Sequence, residues 1–450
     1  MEMLKTKTHQ KLNVLDILLK NWNLNNKIFL GLILLLPSAG IAQDFYNMAQ
    51  FARHQNLGTA RNMGAGGAFS PLGNDFSAIH SNPAGVGVFR RPQTDISLGF
   101  SGYSQQTLSG SNVYDHSGGT STIPNFGSVN VLSEERNSQS NFAFSYNQLS
   151  SFNNQFRAQD ATVVQGVFFD DSLSVRSAGY LGEMGLTWGG HTNRKWYYGI
   201  GVGIPIGRFE EEYYSDYIEG LDNDIGIQII DEFQIVNFIG INAKFGLIYR
   251  PIPALRLSFA AHTPSVMSAN GEIAFVEFVD NIPNIPDTEI DGRDFNYRYN
   301  MTLPGRINTG VAYVFGKYGL ITADYEFSDA RAGNFRSRMI SYDATNERIR
   351  DNLAAIHQVR SGVEARFQNF FLRGGYSYST SGFAANFQNS GVHGIHGGAG
   401  FRTKNFAMDM AVVNFSQENN RIFPVSPVAL SPINSIRSQT YFMLSATFMR

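Results

Sequence analysis

From residue 93 onward, apolar and polar side chains alternate along the sequence with a period of two residues. The clearest stretch is 195–207. An extended strand separates two such sets, because its successive side chains point to opposite faces, whereas a helix scatters them around its circumference. The alternation therefore predicts an all-β fold. One face of 195–207 carries Trp196, Tyr198, Ile200, Val202, Ile204 and Ile206.

The same period recurs in many further segments of the chain. Several of these segments have about ten residues or more, which is the length that a tilted strand needs to cross a membrane. A single-chain bacterial barrel has an even number of strands, so at least one assignment in an odd set is wrong. We predict strands at 95–101, 122–131, 139–149, 180–190, 195–207, 235–250, 254–262, 296–303, 306–315, 318–328, 358–367, 370–380, 393–403, 405–415 and the chain end, with 271–279 as a further candidate.

Composition decides between a soluble sandwich and a membrane barrel. Charged residues make up 16% of the chain, against roughly 25% in an average globular protein, and the polar faces of the strands are mostly Gly, Ser and Asn. Aromatic residues reach 13%, cysteine is absent and the net charge is −2. These values argue against disorder, Cys-ligated metal sites and nucleic-acid binding. In hydrocarbon a sheet must close on itself, because each unpaired backbone group costs several kcal/mol. We therefore predict a transmembrane antiparallel β-barrel.

The first 42 residues have the pattern of a secretory signal peptide. Five lysines precede an apolar run from Ile28 to Leu36, and Gly40 and Ala42 supply small residues before a cleavage site. The apolar run is too short to span the hydrocarbon core as a helix. We predict cleavage after Ala42 and export to the outer membrane of a Gram-negative bacterium.

Short and long connections between the predicted strands also alternate. Four stretches, 208–232, 263–295, 329–355 and 416–437, are predicted as long outer loops, as expected for an outer-membrane barrel. The 208–232 stretch is acidic, but it lacks the complete spacing of a calcium-binding loop. We predict it to be a solvated loop.

Residues 43–93 differ from the rest of the chain, since they are Gly-rich, irregular and mildly apolar. A Gly run cradles phosphate when it joins a strand to a helix in an α/β unit, and no such unit is present in the sequence. Irregular backbone is tolerated at membrane depth when protein encloses it. We therefore predict an N-terminal hatch at 43–93 inside a barrel formed by 94–450.

Three motifs of this segment resemble the hatch of the FadL family of outer-membrane transporters for long-chain fatty acids and aromatic hydrocarbons. They are Met63-Gly-Ala-Gly-Gly-Ala-Phe69, Asp75-Phe-Ser-Ala-Ile79 and Asn82-Pro83-Ala84-Gly85. Later stretches, among them 303–313, 322–326 and 372–376, resemble barrel strands of the family in the same order. The resemblance covers about 43–450. It implies 14 strands, an N-terminal hatch and hydrophobic cargo that leaves sideways through a gap in the wall.

The resemblance leaves two functions open. The first is passive uptake of hydrophobic small molecules, such as long-chain fatty acids, with lateral release into the membrane. The alternative is a protein-interaction barrel associated with secretion, because the family includes relatives of that kind. A general diffusion porin is disfavoured by the predicted hatch. We expect outer-membrane lipid, lipopolysaccharide and the hydrophobic cargo as partners, and a monomer.

The candidate site residues fall into three groups. Hatch side chains are expected to line an apolar cargo site: Met63, Phe69, Phe76 and Ile79. The hatch motif itself is Asn82, Pro83 and Ala84. The third group consists of charged residues at strand positions that point inward. Either they form ion pairs that fill the lumen, or one Arg binds the carboxylate of an amphipathic acid. These residues are Arg306, Asp324, Glu326, Arg360, Glu364 and Arg366, with Arg373 and Asp409.

The sequence shows no catalytic constellation. His393 and His396 are three residues apart on a predicted strand, so they point to opposite faces and are poorly placed to share a metal ion. We therefore expect no enzymatic activity, no cofactor and no metal.

Overall fold

The computed structural model describes residues 45–109, 112–164, 167–221, 224–282, 287–385, 390–421 and 433–450. The predicted signal peptide, 1–42, and the first two residues of the predicted hatch lie outside the described residues. Their assignment therefore stays a prediction.

The chain from Gln93 onward forms one antiparallel sheet that closes on itself, because β1 pairs with β18 over their whole length. Closure removes the free edges of the sheet, whose unpaired backbone groups would be costly at membrane depth. The segments are β1 Gln93–Ser109, β2 Asn112–Glu134, β3 Ser138–Ser151, β4 Asn154–Val164, β5 Val167–Thr192, β6 Trp196–Leu221, β7 Asp224–Tyr249, β8 Leu255–His262, β9 Ser265–Asp280, β10 Thr288–Leu303, β11 Arg306–Val314, β12 Gly319–Asp329, β13 Asn334–Arg336, β14 Ala355–Phe367, β15 Phe370–Ser379, β16 Val392–Arg402, β17 Phe406–Arg421 and β18 Ile433–Met449.

Four pairs of consecutive segments are each one barrel strand with an interruption. These pairs are β3 with β4, β8 with β9, β10 with β11, and β12 with β13; in each of them both segments run in the same direction along the wall. The barrel therefore has 14 strands. The predicted fold class is confirmed. The interruptions between β10 and β11 and between β8 and β9 explain why periodicity alone gave fifteen or sixteen segments.

The outer face of the wall is apolar and the inner face is polar. On β1, Ile96, Leu98 and Phe100 are 46%, 45% and 54% exposed, whereas the intervening Asp95 and Ser97 are buried. A soluble protein would place these two sets the other way round. The exposed apolar belt is a lipid-facing surface, so the barrel is of the outer-membrane type. Among the described residues, no helix is long and apolar enough to cross a membrane.

Short turns join the strands on one side of the barrel, and that side faces the periplasm in barrels of this type. On the other side the strands continue well past the membrane; β6 and β7 each have 26 residues, although about ten span the hydrocarbon. The loop prediction for 208–232 is therefore wrong: most of it is an antiparallel hairpin of β6 and β7. Most of 263–295 is likewise strand, in β9 and β10. Beyond the membrane the outer face of a strand meets water rather than lipid, and the inner face of β6 mixes Phe209 and Tyr217 with Glu211 and Ser215. The regular alternation that identifies strands therefore disappears.

The other two predicted loops are partly ordered as well. Residues 329–355 contain a 3₁₀ helix, Ala330–Ala332, the short strand β13 and a helix, Asp343–Asn352. In 416–437, β17 continues to Arg421 and β18 begins at Ile433, and the stretch between them lies outside the described residues.

Residues 45–92 form an N-terminal segment with three short helices and a 3₁₀ helix. The helices are α1 Phe45–Ala52, α2 Ala60–Gly64 and α3 Phe76–Ser81, and the 3₁₀ helix is Pro83–Val88; the helix at Asp343–Asn352 is α4. Thr59 and Asp75 cap α2 and α3, since their side-chain oxygens accept hydrogen bonds from the first free backbone N–H groups. The helices and the 3₁₀ helix contact inward-facing residues of the strands.

Backbone meets backbone where the segment contacts the wall at Gly66. This residue has a φ of +76°, which favours glycine. A Cβ atom on Gly375 of β15 would lie 2.4 Å from the Gly66 nitrogen, so this contact leaves no room for a side chain. Gly397 of β16 faces outward, and a Cβ atom there would meet nothing within 4 Å.

We expect Gly375→Ala to lower the free energy of unfolding by about 1–3 kcal/mol, because the added methyl group overpacks the contact with Gly66. The matched control Gly397→Ala should change it by less than about 1 kcal/mol. Urea unfolding in lipid vesicles measures both, and limited proteolysis reports release of the N-terminal segment. Equal effects of the two substitutions would contradict this packing.

Candidate functional site

The four apolar residues predicted to line a cargo site are all buried, but they lie in three separate clusters. Met63 packs with Leu57, Val413 and Tyr441 against β17 and β18. Phe69 lies in a second cluster with Ala65, Leu72, Ala78, Ala312 and Leu320. Phe76 and Ile79 lie in a third cluster with Val86, Phe89, Val129 and Ala143. The structure thus does not bring the four into one lining, and their role in binding stays a prediction.

The hatch motif fixes the segment to β6 and β7. The Asn82 side-chain oxygen accepts a hydrogen bond from the Ala84 N–H at 3.0 Å and so caps the 3₁₀ helix. Its amide group donates to the Leu247 carbonyl at 3.3 Å. A Cβ atom at Gly199 would lie 2.2 Å from the Pro83 carbonyl oxygen. The motif therefore sits directly against the backbone of the wall.

The lumen charges form two compact ion-pair networks. The first is centred on Glu326, which binds Arg360 at 2.6 Å and Arg306 at 3.7 Å. Asp324 lies on the same strand and accepts a hydrogen bond from the Ser70 backbone N–H at 3.1 Å. This network therefore joins three wall strands, and Asp324 connects it to the N-terminal segment.

The second network is centred on Glu364. Arg373 donates to Glu364 at 2.8 Å and to Asp409 at 2.7 Å, and Arg366 binds the other oxygen of Glu364 at 2.8 Å. Arg61 of the N-terminal segment lies 3.8 Å from Glu364. Each of these carboxylates thus has a cationic partner, as buried charges require.

Sequence reasoning missed a third buried polar cluster, the Glu183 cluster. Glu183 accepts hydrogen bonds from Lys244 and from Asn242, the latter at 2.7 Å. His80 of α3 lies 3.0 Å from Glu183 through Nδ1 and 3.1 Å from the Ser145 hydroxyl through Nε2. The sequence feature that could have revealed this cluster is that Glu183 and Lys244 both occupy strand positions that point inward.

Ser145, His80 and Glu183 have the donor and acceptor order of a hydrolytic triad. However, Ser145 and Glu183 have no exposed surface, and a nucleophile must reach its substrate. Lys244 also occupies the carboxylate that would orient the imidazole. The cluster instead joins the N-terminal segment to three strands of the wall.

Above these clusters, helix α1 is embedded in an upper apolar core on the long-hairpin side of the lumen. The Phe51 ring lies 5.1 Å from that of Phe152 and 5.5 Å from that of Phe209. Burial raises the pKa of Tyr342 to about 12, because the phenolate would lose its hydration, so this side chain is neutral. Among the wall and loop residues of the core are Leu149, Phe152, Leu181, Phe209, Val236, Phe238, Met267, Tyr297, Met301, Phe335 and Ile349.

The wall is interrupted next to this core, between β2 and the β3–β4 strand. The β2–β3 ladder ends at Asn125 opposite Asn147, and residues 112–122 of β2 pair with β1. Within the described residues, β4 pairs with β5, and β2 and β4 meet through side chains. The Tyr114 hydroxyl donates to Gln159 at 3.3 Å. Asn125 pairs with Ser97 of β1, which lies between the lipid-facing Ile96 and Leu98, so the interruption begins at membrane depth.

The N-terminal segment supplies the backbone partners that β2 no longer provides. The Leu149 carbonyl accepts hydrogen bonds from the Gln55 and Asn56 N–H groups at 2.7 and 3.0 Å. Leu57 and Gln148 form an antiparallel bridge. At membrane depth an unpaired carbonyl is costly, so the inward-bent strand is stable because the segment lies beside it.

A closed 14-stranded barrel with a lipid-facing belt and a filled lumen defines an outer-membrane β-barrel with the fold of FadL-type channels. Solved structures agree. A Pseudomonas aeruginosa FadL homologue aligns with a TM-score of 0.59 at 12% identity, covering 88% of this chain and 99% of that one. The P. putida toluene transporter TodX aligns with a TM-score of 0.58 at 12% identity, covering 86% and 99%.

The Ralstonia pickettii toluene transporter TbuX has the same fold, with a TM-score of 0.53 at 14% identity and coverage of 88% and 99%. No family model and no curated protein matches the sequence. The predicted resemblance to FadL-type proteins is thus confirmed at the level of the fold.

Removing one charge of the Glu183 cluster should lower the free energy of unfolding more than removing both charges of the Glu183–Lys244 ion pair. We expect Glu183→Gln to lower the free energy of unfolding by about 3–5 kcal/mol, because Lys244 would be left buried without its carboxylate. The double variant Glu183→Gln with Lys244→Met should recover most of that loss. Urea unfolding of both proteins in lipid vesicles tests this. A double variant as unstable as the single one would show that the unpaired charge of Lys244 does not cause the loss of stability.

Proposed function

We propose that the protein is a passive outer-membrane transporter that takes up hydrophobic small molecules, such as long-chain fatty acids, and releases them sideways into the membrane. It acts as a monomer among outer-membrane lipids and lipopolysaccharide. The observation that carries the proposal is the interruption of the wall between β2 and β4 directly beside the upper apolar core.

The position of the interruption supports lateral release. Phe152, which separates β3 from β4, is fully buried in the upper apolar core. On β1, which pairs with this part of β2, the outer face carries the lipid-facing Phe100. An apolar molecule crossing here would pass from the upper apolar core to lipid tails without entering water, which is the favourable course for apolar surface.

The N-terminal segment controls this route in the proposal. Phe51 packs on Phe152, and Gln55 to Leu57 pair with the inward-bent strand. Cargo can therefore occupy the core and reach the interruption when α1 and the residues after it move. Movement would also expose the hatch residues Met63, Phe69, Phe76 and Ile79, which we propose as later contacts of the cargo.

The lumen arginines serve the barrel in this proposal rather than the cargo. Arg306, Arg360 and Arg373 each bind a buried carboxylate. A cargo carboxylate would have to displace that partner and leave it unpaired, which is costly. The networks are therefore expected to hold the wall and the segment in place.

Covalent attachment of the segment to the interrupted strand should abolish transport. The chain has no cysteine, and the bridge partners Leu57 and Gln148 have the spacing that a disulfide needs. We expect the oxidised Leu57→Cys/Gln148→Cys variant to take up radiolabelled oleate or toluene at least about tenfold more slowly than the reduced form, because the segment cannot leave the interruption.

The matched control is Met408→Cys with Ala446→Cys, a pair that faces outward on β17 and β18, which are hydrogen-bonded to each other. Its oxidation should leave uptake unchanged, and non-reducing gels show that both cross-links form. Equal uptake by the oxidised and reduced forms of the Leu57 pair would refute release at this interruption.

A further inference from the structure

The outer end of the barrel carries a cavity that the transport proposal does not use. It has a volume of about 860 Å³ and lies in the 331–350 region, between β13 and α4. Because this region connects β12 and β14 on the long-hairpin side, the cavity faces the outside of the cell. Its volume is within the range of small-molecule binding sites.

Four arginines line this cavity: Arg331, Arg336, Arg338 and Arg350. Asp329 binds Arg331 through two hydrogen bonds of 2.9 and 2.8 Å. Within the part of the chain that the structure describes, the other three arginines have no ion pair. Asp343 is the one acidic residue of the lining, so the arginines together with Asp343 and Asp329 carry a formal net charge of +2. Like charges held together favour an anionic occupant.

The frame around the arginines is fixed. The Asn346 side chain of α4 accepts a hydrogen bond from the Phe335 N–H at 2.8 Å and donates to its carbonyl at 2.9 Å. Phe335 and Ile349 are anchored in the upper apolar core. The Ser337 hydroxyl donates to the Arg298 carbonyl at 3.0 Å. The guanidinium groups are therefore held on anchored backbone, which lowers the entropic cost of binding.

An apolar surface adjoins the charges. Met339 is 78% exposed, and Ile340 lies beside it. An exposed methionine among arginines is unusual for a purely solvated loop, and it suits a ligand that carries both charge and hydrocarbon.

We propose that this cavity is an outer binding site for a phosphate-bearing ligand. A phosphate group has up to two negative charges and three acceptor oxygens, which match several guanidinium forks better than one carboxylate does. The source is either the phosphorylated headgroup of an outer-leaflet glycolipid or a soluble phosphate compound. The lining residues Phe335 and Tyr342 also belong to the upper apolar core that the transport proposal uses. The arginines lie outside that core, so phosphate binding can be tested separately from transport.

Binding to the purified full-length protein in detergent micelles tests the proposal. The probes are bisphosphorylated lipid A, the same lipid after dephosphorylation, and inorganic pyrophosphate. The test variant combines Arg336→Gln, Arg338→Gln and Arg350→Gln. The matched control removes the same charge from exposed residues of the short-turn side, by Arg136→Gln, Lys195→Gln and Lys404→Gln.

We expect the wild type and the control variant to bind phosphorylated lipid A equally. The triple arginine variant should bind it at least about tenfold more weakly, since hydrogen bonds to charged groups account for a factor of this size or more. A charge-conserving variant with Arg336→Lys, Arg338→Lys and Arg350→Lys should recover part of the affinity. Binding of pyrophosphate alone at least as tightly as phosphorylated lipid A would identify a soluble phosphate compound as the source, and much weaker binding of pyrophosphate would identify a lipid headgroup.

Three results would overturn the proposal: neither phosphate probe binds, dephosphorylated lipid A binds as tightly as the phosphorylated form, or the triple arginine variant binds like the control. Heat-dependent migration on a gel shows whether each variant has folded into a barrel. If the triple variant fails to fold, the single variants Arg338→Gln and Arg350→Gln, each on the exposed surface, replace it with the same criteria.

Discussion

The need to pair backbone hydrogen-bonding groups in a medium without water governs this structure. It closes the sheet through β1 and β18, and it determines what happens where the wall is interrupted. At Leu149 the strand bends inward, and its carbonyl is paired by the N-terminal segment rather than by a neighbouring strand. The wall and the segment are therefore one hydrogen-bonded system, so neither is complete alone.

The same medium explains the lumen. An outward face of Ile, Leu and Phe leaves the polar side chains inside, where they must find partners. They do so in the networks around Glu326, Glu364 and Glu183, and Ser70, Arg61 and His80 connect these networks to the N-terminal segment. A segment with many polar contacts at its base and an apolar helix at its top divides the lumen into a fixed part and a part that suits apolar molecules.

The sequence predicted the features that depend on the local two-residue period of the strands. It did not predict the contacts that depend on which residues of neighbouring strands lie opposite each other. The parity of Arg306, Glu326 and Arg360 was sufficient to place them on the inner face, but which of them pair follows from the register of neighbouring strands, which the two-residue period does not give. Lys244 and Glu183 are 61 residues apart, so no local pattern joins them. The hairpin at 208–232 was missed because its outer face meets water and its inner face mixes apolar and polar side chains, so no regular period remains. The break between β3 and β4 at Phe152 was missed because no Pro or Gly lies at this position.

The glycine contacts between the segment and the wall have a mechanical consequence. At Gly66, Gly199 and Gly375, bare backbone touches bare backbone, so no interlocking side chains cross these points. At these three points the two surfaces can shear past one another without any side chain having to rotate, because neither surface carries a side chain there. Sliding of the segment would therefore be resisted mainly elsewhere in the lumen, where Met63, Phe69 and Phe76 pack between side chains of the wall.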